Sequence, residues 1–170
     1  MMHLKLSENT ELDLLFNEKE RFSSCSLIYK EDGNTLSMYE DYLYYYVEFM
    51  LYRIKNIHTI ESKDIFGKVG KWQQCYMYSK SYYKLHAQEF SLIEKTEFIS
   101  TAGYGVFLYS FDGSYWMEID KGYSDDCRLS PIEYFSDFLN YRMLLTPIPK
   151  ERIDEWFKEL IELENFVKIR

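Results

Sequence analysis

The chain has 170 residues, of which 46% are hydrophobic and 19% aromatic, and it carries a formal net charge of -8. This length suits a single domain spanning residues 1–170, whose core can bury roughly 70% of the surface of the unfolded chain. The charge disfavours binding to nucleic acid and to anionic membranes, because both attract Lys and Arg. A basic partner is electrostatically favoured.

Three widely separated cysteines, Cys25, Cys75 and Cys127, predict reduced thiols rather than a disulfide framework, since their number is odd. Residues 1–7 lack the basic and apolar regions of a signal peptide. The apolar segment 42–57 is interrupted by charges and is shorter than a membrane span. These features predict a soluble, cytoplasmic protein.

The first third of the chain predicts strands followed by a turn. Residues 3–6 alternate between polar and apolar, which predicts a strand with Leu4 and Leu6 on one side. Residues 11–22 fit either a short helix or a strand. Residues 25–34 predict a strand that enters a tight turn, because the Gly and Asn of the sequence Glu-Asp-Gly-Asn tolerate positive φ.

A helix is predicted to begin at Ser37, because Glu40 three residues later completes a capping box. Successive residues of the Tyr44-Tyr45-Tyr46 run point about 100° apart on a helix, which predicts packing rather than one aromatic patch. The apolar positions predict a central helix covered on more than one side. They are Tyr39, Leu43, Val47, Met50, Ile54 and Ile57, widened by Tyr42, Tyr45 and Phe49.

Residues 55–84 carry an excess of lysine over acidic residues and predict extended, partly irregular structure. Lysines interleaved with aromatic residues are typical of proteins that bind single-stranded nucleic acid. Scattered lysines on solvated faces explain this segment better, because the whole chain is acidic. Residues 67–71 also lack the spacing of a phosphate-binding loop.

A β-hairpin is predicted from two aromatic strands, residues 104–110 and 115–119, which flank Asp112-Gly113. Both turn residues tolerate the positive φ of a tight hairpin turn. Alternation along the second strand predicts one core face and one acidic face. The core face has Tyr115, Met117 and Ile119, and the acidic face has Trp116, Glu118 and Asp120.

Two C-terminal helices are predicted. Ser130, followed by Pro131 and Glu133, predicts the start of a helix that runs to Leu145. Residues 146–149 then end this helix and start the next. The expected fold is α+β, an antiparallel sheet with one central early helix and two C-terminal helices. The apolar stripe of the last helix is Ile153, Trp156, Phe157, Leu160, Leu163 and Val167.

The candidates for chemistry are weak. Asp120 with Asp125 or Asp126 could act as an acid and base pair or collect a divalent cation, but their spacing does not match a calcium loop. We therefore predict no enzyme, no catalytic residue, no cofactor and no metal site. The histidines are too far apart in the sequence for a zinc site: His3, His58 and His86.

Three groups of segments carry a resemblance to a known family: 26–30 (Ser-Leu-Ile-Tyr-Lys) with 36–37 and 46–51, 105–109 with 115–119, and 130–135 with 148–149 ahead of Trp156. They resemble small bacterial immunity proteins, which accompany polymorphic or contact-dependent growth inhibition toxins. The resemblance implies a cytoplasmic protein that binds one cognate toxin domain and blocks its active site, without assigning a role to any residue. Toxins that act on nucleic acid tend to be basic, so an acidic inhibitor fits them.

The hairpin and the loop after it are the predicted contact surface, because they combine carboxylates with Tyr and Trp. Two alternatives remain open: a small hydrolase or nuclease that uses surface carboxylates, and an acidic phage anti-defence or chaperone-like inhibitor. No oligomeric state is predicted. The predicted partner-binding residues are Asp112, Trp116, Glu118, Asp120, Tyr123, Asp125 and Asp126.

Overall fold

A computed structural model describes residues 1–20, 22–61, 94–100, 104–121 and 144–168. In this part of the chain the fold is mixed α+β, with antiparallel strands, one early helix and one C-terminal helix, which confirms the predicted fold class. The helix predicted from Ser130 falls largely outside the described residues.

The chain divides into two compact units. The first comprises Met1–Asn56 and Thr146–Arg170, and the second comprises Ile57–Leu145. The single domain expected over residues 1–170 stays a prediction.

The first unit contains a four-stranded antiparallel sheet in the order β1-β2-β3-β4. Its strands are β1 (Met2–Lys5), β2 (Thr10–Phe16), β3 (Ser24–Glu31) and β4 (Asn34–Tyr42). The alternation predicted for the first strand is confirmed, and the ambiguous segment 11–22 begins as a strand. One face of this sheet supplies core residues, among them Met2, Leu4, Leu12, Leu14, Cys25 and Leu27.

Helix α1 spans Leu43–Lys55, so the capping box predicted at Ser37 and Glu40 is wrong. Both residues lie in β4, where Ser37 pairs with Ile28 and Glu40 with Ser26. Pairing with β3 continues as far as Tyr42, which precedes the helix in an extended conformation and provides no side-chain cap. The long-range strand pairing therefore overrides the local helix signal.

Helix α1 buries one face, which corrects the prediction that it is covered on more than one side. The buried residues span an arc of roughly 140° around the helix axis. The opposite face is exposed at Tyr45, Glu48, Tyr52 and Lys55. The buried residues are Leu43, Tyr46, Val47, Met50, Leu51 and Ile54.

Helix α2 spans Lys150–Lys168 and packs against α1, with the Lys55 ammonium 5.7 Å from the centre of the Phe157 ring. It begins after Pro149, whose carbonyl oxygen accepts hydrogen bonds from the backbone amides of Arg152 and Ile153. Five members of the predicted stripe are confirmed as buried, and Phe157 is half-buried. The five are Ile153, Trp156, Leu160, Leu163 and Val167.

A second sheet has the strand order β5-β7-β8-β9, with β6 also paired to β7. The strand β5 runs parallel to β7, whereas β6 and β8 run antiparallel to it. A strand at residues 144–148 replaces the predicted helix end, and Pro147 is tolerated there because β9 is last in the order. The strands are β5 (His58–Thr59), β6 (Glu97–Ser100), β7 (Tyr104–Phe111), β8 (Ser114–Lys121) and β9 (Leu144–Ile148).

No helix within the described residues is long and apolar enough to cross a membrane. Of the three cysteines, Cys25 is described and is buried in the first unit, whereas Cys75 and Cys127 lie outside the described residues.

Both predicted turns are confirmed and have nearly the same backbone geometry. Asp32 and Gly33 have φ values of 49° and 79°, and Asp112 and Gly113 have values of 49° and 75°. In the first turn the positive φ values therefore fall on Asp32 and Gly33 rather than on Gly33 and Asn34. Positive φ at both central residues defines a type I′ turn, whose twist matches that of the flanking strands. Each turn therefore sets the alignment of its hairpin.

We expect Gly33→Ala and Gly113→Ala each to lower the free energy of unfolding by about 1 to 2 kcal/mol, the cost of a left-handed conformation for a residue with a Cβ. Nothing lies within 4 Å of a Cβ built at either glycine, so collision adds nothing to this cost. Gly→Asn is the control, because Asn tolerates positive φ and should recover most of the loss. Equal losses for Ala and Asn in urea denaturation would contradict the conformational explanation.

Candidate protein-binding surface

The β7–β8 hairpin presents its predicted contact residues unequally. Asp112 lies in the turn and is exposed. Trp116 is half-buried and packs against a cluster formed by Ile60, Phe107 and Tyr109. Trp116 therefore contributes part of its side chain to the interior of the second unit and is only partly available on its surface.

Glu118 is 0% exposed, so the prediction that it contributes to an exposed acidic face is wrong. Its carboxylate accepts a hydrogen bond of 3.1 Å from the Tyr109 hydroxyl. In the register of the hairpin Glu118 pairs with Phe107, and Trp116 pairs with Tyr109. The Phe107 and Tyr109 side chains of β7 therefore lie on the same face of the hairpin as Glu118, the face that was predicted to be acidic. Burial of Met117 and Ile119 on the other face is confirmed.

The other predicted contact residues are not placed. Asp120 belongs to β8, but its side chain lies outside the described part of the structure. Tyr123, Asp125 and Asp126 fall in residues 122–143, which are not described. The contact surface on the hairpin and loop stays a prediction. Among its residues that the structure describes, Asp112 is exposed.

A different surface stands out on the first unit. Tyr45 and Tyr52 are 61% and 57% exposed, although they belong to a helix whose other face is deeply buried, and Tyr42, which directly precedes this helix, is 59% exposed. The half-buried Phe49 lies between them along the helix. We call these four residues together with Arg53 the α1 aromatic stripe.

The rings of this stripe are held by contacts with their neighbours. The guanidinium carbon of Arg53 lies 4.8 Å from the centre of the Phe49 ring and 5.4 Å from that of Tyr52. Such cation–π contacts are worth about 0.5 to 1 kcal/mol at exposed sites. Arg53 therefore orients two rings while retaining hydrogen-bond donors of its own.

The rings at the start of the helix contact one another edge-on. The centres of Tyr42 and Tyr45 are 6.3 Å apart, and those of Tyr44 and Tyr45 are 5.8 Å apart. Tyr46 points inward and is buried, as expected for a run on a helix. The expectation that this run forms no patch is corrected in part, since Tyr44 and Tyr45 join Tyr42 in one group.

The α1 aromatic stripe has the composition of a protein-binding surface. Exposed helix faces of soluble proteins are usually charged, and a contiguous apolar patch marks an interaction site. Tyr and Arg are enriched among the residues that dominate binding energy. The stripe was not predicted, because the helical spacing of Tyr42, Tyr45 and Phe49 indicates core positions. The available signal was that the apolar residues of α1 span a wider arc of the helix than one buried face requires.

A buried carboxylate is the centre of a second polar arrangement in the first unit. Asp13 on β2 is 0% exposed, and one of its oxygens lies 2.6 Å from His3 Nδ1 on the neighbouring strand. The Lys30 ammonium forms ion pairs with the other oxygen of Asp13 and, at 3.2 Å, with Glu11. Strand pairing thus brings four charged or titratable groups together on one side of the sheet.

This arrangement contains the donor types of a metal site, since His3, Glu11 and Asp13 each offer a ligand atom within 4.8 Å of the others. The Lys30 ammonium already supplies a positive charge to both carboxylates. We therefore interpret the group as an ion-pair network. His3 is remote in the sequence from the other histidines, and its cross-strand neighbour Asp13 is revealed only by the pairing of β1 with β2.

A comparison of the chain with protein-family models, with curated proteins and with solved structures finds no match. The features that bear on function are consequently the α1 aromatic stripe, the acidic charge and the polar arrangement of the first unit.

We expect Lys30→Gln to lower the stability of the protein at neutral pH. Hydrogen bonds to Asp13 and then to Glu11 raise the pKa of Lys30 above its usual value. The stabilisation is fully present below the unfolded pKa of Lys, about 10.4, and is lost as the pH rises through the folded pKa. Urea denaturation should show a lower midpoint for the variant at pH 7 and convergence with the wild type at higher pH. A difference that persists unchanged would contradict this assignment.

Proposed function

We propose that this chain is an immunity protein that binds and neutralises a cognate bacterial toxin domain, a basic nuclease-type protein, by covering its active site. The observation that carries the proposal is the exposed α1 aromatic stripe on a chain with a net charge of -8. The resemblance of several sequence segments to immunity proteins supports the same function. In this proposal the chain acts by binding in the cytoplasm and not by catalysis.

The negative charge accounts for recognition at a distance. A toxin that cuts nucleic acid presents Lys and Arg around its active site, because phosphate binding requires them. Attraction between opposite charges raises the association rate and disfavours partners of the wrong sign. An acidic inhibitor also competes directly with the phosphates of the substrate.

The α1 aromatic stripe accounts for the contact itself. Aromatic side chains bury about 150 to 250 Å² each and lose little conformational entropy on binding, which makes them suitable anchors. The cation–π contacts of Arg53 hold Phe49 and Tyr52 before a partner arrives. Preorganisation of this kind reduces the entropy lost on association.

Capture from the native host tests the function. The tagged chain should retain one basic toxin-domain protein at equal stoichiometry, and the purified pair should lack the toxin activity shown by the partner alone. Recovery of the chain by itself, under conditions in which a neighbouring toxin is expressed, would overturn the proposal. A captured partner whose activity is unchanged by the complex would overturn it equally.

We expect the double variant Tyr45→Ala/Tyr52→Ala to weaken toxin binding at least about tenfold, because removing one interface anchor commonly costs more than 1 kcal/mol. The matched control, Tyr45→Phe/Tyr52→Phe, keeps the rings and should bind within a few-fold of the wild type. Isothermal titration calorimetry measures both affinities.

The variant Asp112→Asn reports on the alternative contact surface at the hairpin, since Asn tolerates the positive φ at this position. A loss confined to Asp112→Asn, with full binding by the alanine double variant, would transfer the interface from the helix to the hairpin.

A further inference from the structure

A cavity of about 360 Å³ lies in the first unit, where β1 and β2 face α2. Its apolar lining consists of Met1, Met2, Phe16, Leu163 and Phe166. Two of these five side chains are aromatic, and the cavity is open to solvent. The volume lies at the lower end of the range for small-ligand sites, which suits one side chain better than an extended ligand.

The polar part of this cavity is acidic. Glu159 and Glu162 are three residues apart on α2, so they lie on the same side of the helix and both line the cavity. A third carboxylate, Glu18, accepts a hydrogen bond of 2.8 Å from the amino group of Met1. Within the described residues neither Glu159 nor Glu162 forms an ion pair. The cavity therefore has two carboxylates whose charge is not matched by a direct partner.

The electrostatics of Glu159 agree with a shortage of positive charge. Partial burial, followed by the nearby charges of Glu155 and Glu162, raises the pKa of this carboxyl above its usual value. His3 and Arg152 act in the opposite direction without cancelling the effect. A cation placed in the cavity would relieve the repulsion.

We propose that this cavity, the acidic socket, receives an arginine side chain of a protein partner. The identity of that partner as the toxin rests on the proposed function, whereas the ligand chemistry rests on the socket alone. The guanidinium group pairs with carboxylates through two parallel hydrogen bonds and stacks on aromatic rings. It is also less strongly hydrated than the ammonium of lysine, which favours it beside Phe16 and Phe166.

Titration with N-acetyl-arginine amide, followed by NMR, tests the socket directly. The backbone amides of Leu163 and Phe166 should shift saturably, with a dissociation constant on the order of millimolar, as expected for one side chain. N-acetyl-citrulline amide has nearly the same shape without the charge and should cause no saturable shift. N-acetyl-lysine amide should bind more weakly than the arginine compound.

The charge-removing variant Glu159→Gln/Glu162→Gln should weaken binding of the arginine compound at least about tenfold, because both carboxylate partners are lost. The control Glu151→Gln/Asp154→Asn removes the same charge from the same helix outside the socket, at positions that are exposed to solvent, as Glu159 and Glu162 are. It should bind like the wild type. If both variants weakened binding of the arginine compound equally, the effect would be due to the net charge of the protein, and this outcome would overturn the proposal.

Glu159→Gln should raise the thermal stability of the protein at pH 7. A carboxyl with a raised folded pKa destabilises the fold while it is ionised, and this cost disappears as the pH falls through the folded pKa and below the unfolded value. The stability gain measured by thermal denaturation should therefore vanish near pH 4. A purely structural role for Glu159 predicts a loss of stability at pH 7, which would contradict the socket.

The two proposals fail separately. Saturable binding of the arginine compound without a captured toxin would retain the socket and overturn the immunity function. Toxin capture with no binding of the compound, and with normal affinity of Glu159→Gln/Glu162→Gln for the toxin, would overturn the socket and leave the immunity function standing.

Discussion

The type I′ turns determine which side chains share a face in each sheet. Because the loop at Asp32-Gly33 has only two residues, it aligns β3 with β4 as far as the pair Ile28 and Ser37. A bulge then shifts the register by one residue, and the shifted pairing continues to Tyr42. Helix α1 begins at Leu43, with Tyr45 and Tyr52 turned away from the core. A shift of one residue exchanges the faces of a strand, so the position of the α1 aromatic stripe depends on both the turn and the bulge that precede the helix.

The features that were predicted correctly depend on short stretches of sequence. Backbone preferences were sufficient to predict both Asp-Gly turns, and the spacing of apolar residues was sufficient to predict the strand at residues 25–30 and the buried stripe of α2. The capping box at Ser37 failed because capping stabilises a helix by about 1 kcal/mol, whereas β4 gains a ladder of pairs with β3. Nothing in residues 37–40 themselves reveals which partner is available. The exposure of Tyr42 and Tyr45 could not be predicted for the same reason, since it follows from where α1 begins.

Two carboxylates, Asp13 and Glu118, are buried, and Glu118 was expected on an exposed acidic face. Alternation along one strand gives the side on which a residue lies, but the neighbouring strand decides whether that side is covered. Asp13 is matched by Lys30 and His3, and Glu118 accepts a hydrogen bond from Tyr109. Buried carboxylates require such partners because desolvation of an unpaired charge is costly. They therefore belong to the architecture of each unit, and the negative charge available to a partner lies elsewhere.

Exposed rings and unpaired carboxylates both cost the isolated protein stability, since water solvates the former poorly and the latter repel each other. A chain selected only for stability would replace Tyr45 and Tyr52 with charged residues and pair or remove Glu159. In the proposed function, both features are kept for binding at a cost in stability. They would act at different stages of association. The carboxylates attract the proposed basic partner and orient it, whereas rings that become buried on binding slow its dissociation.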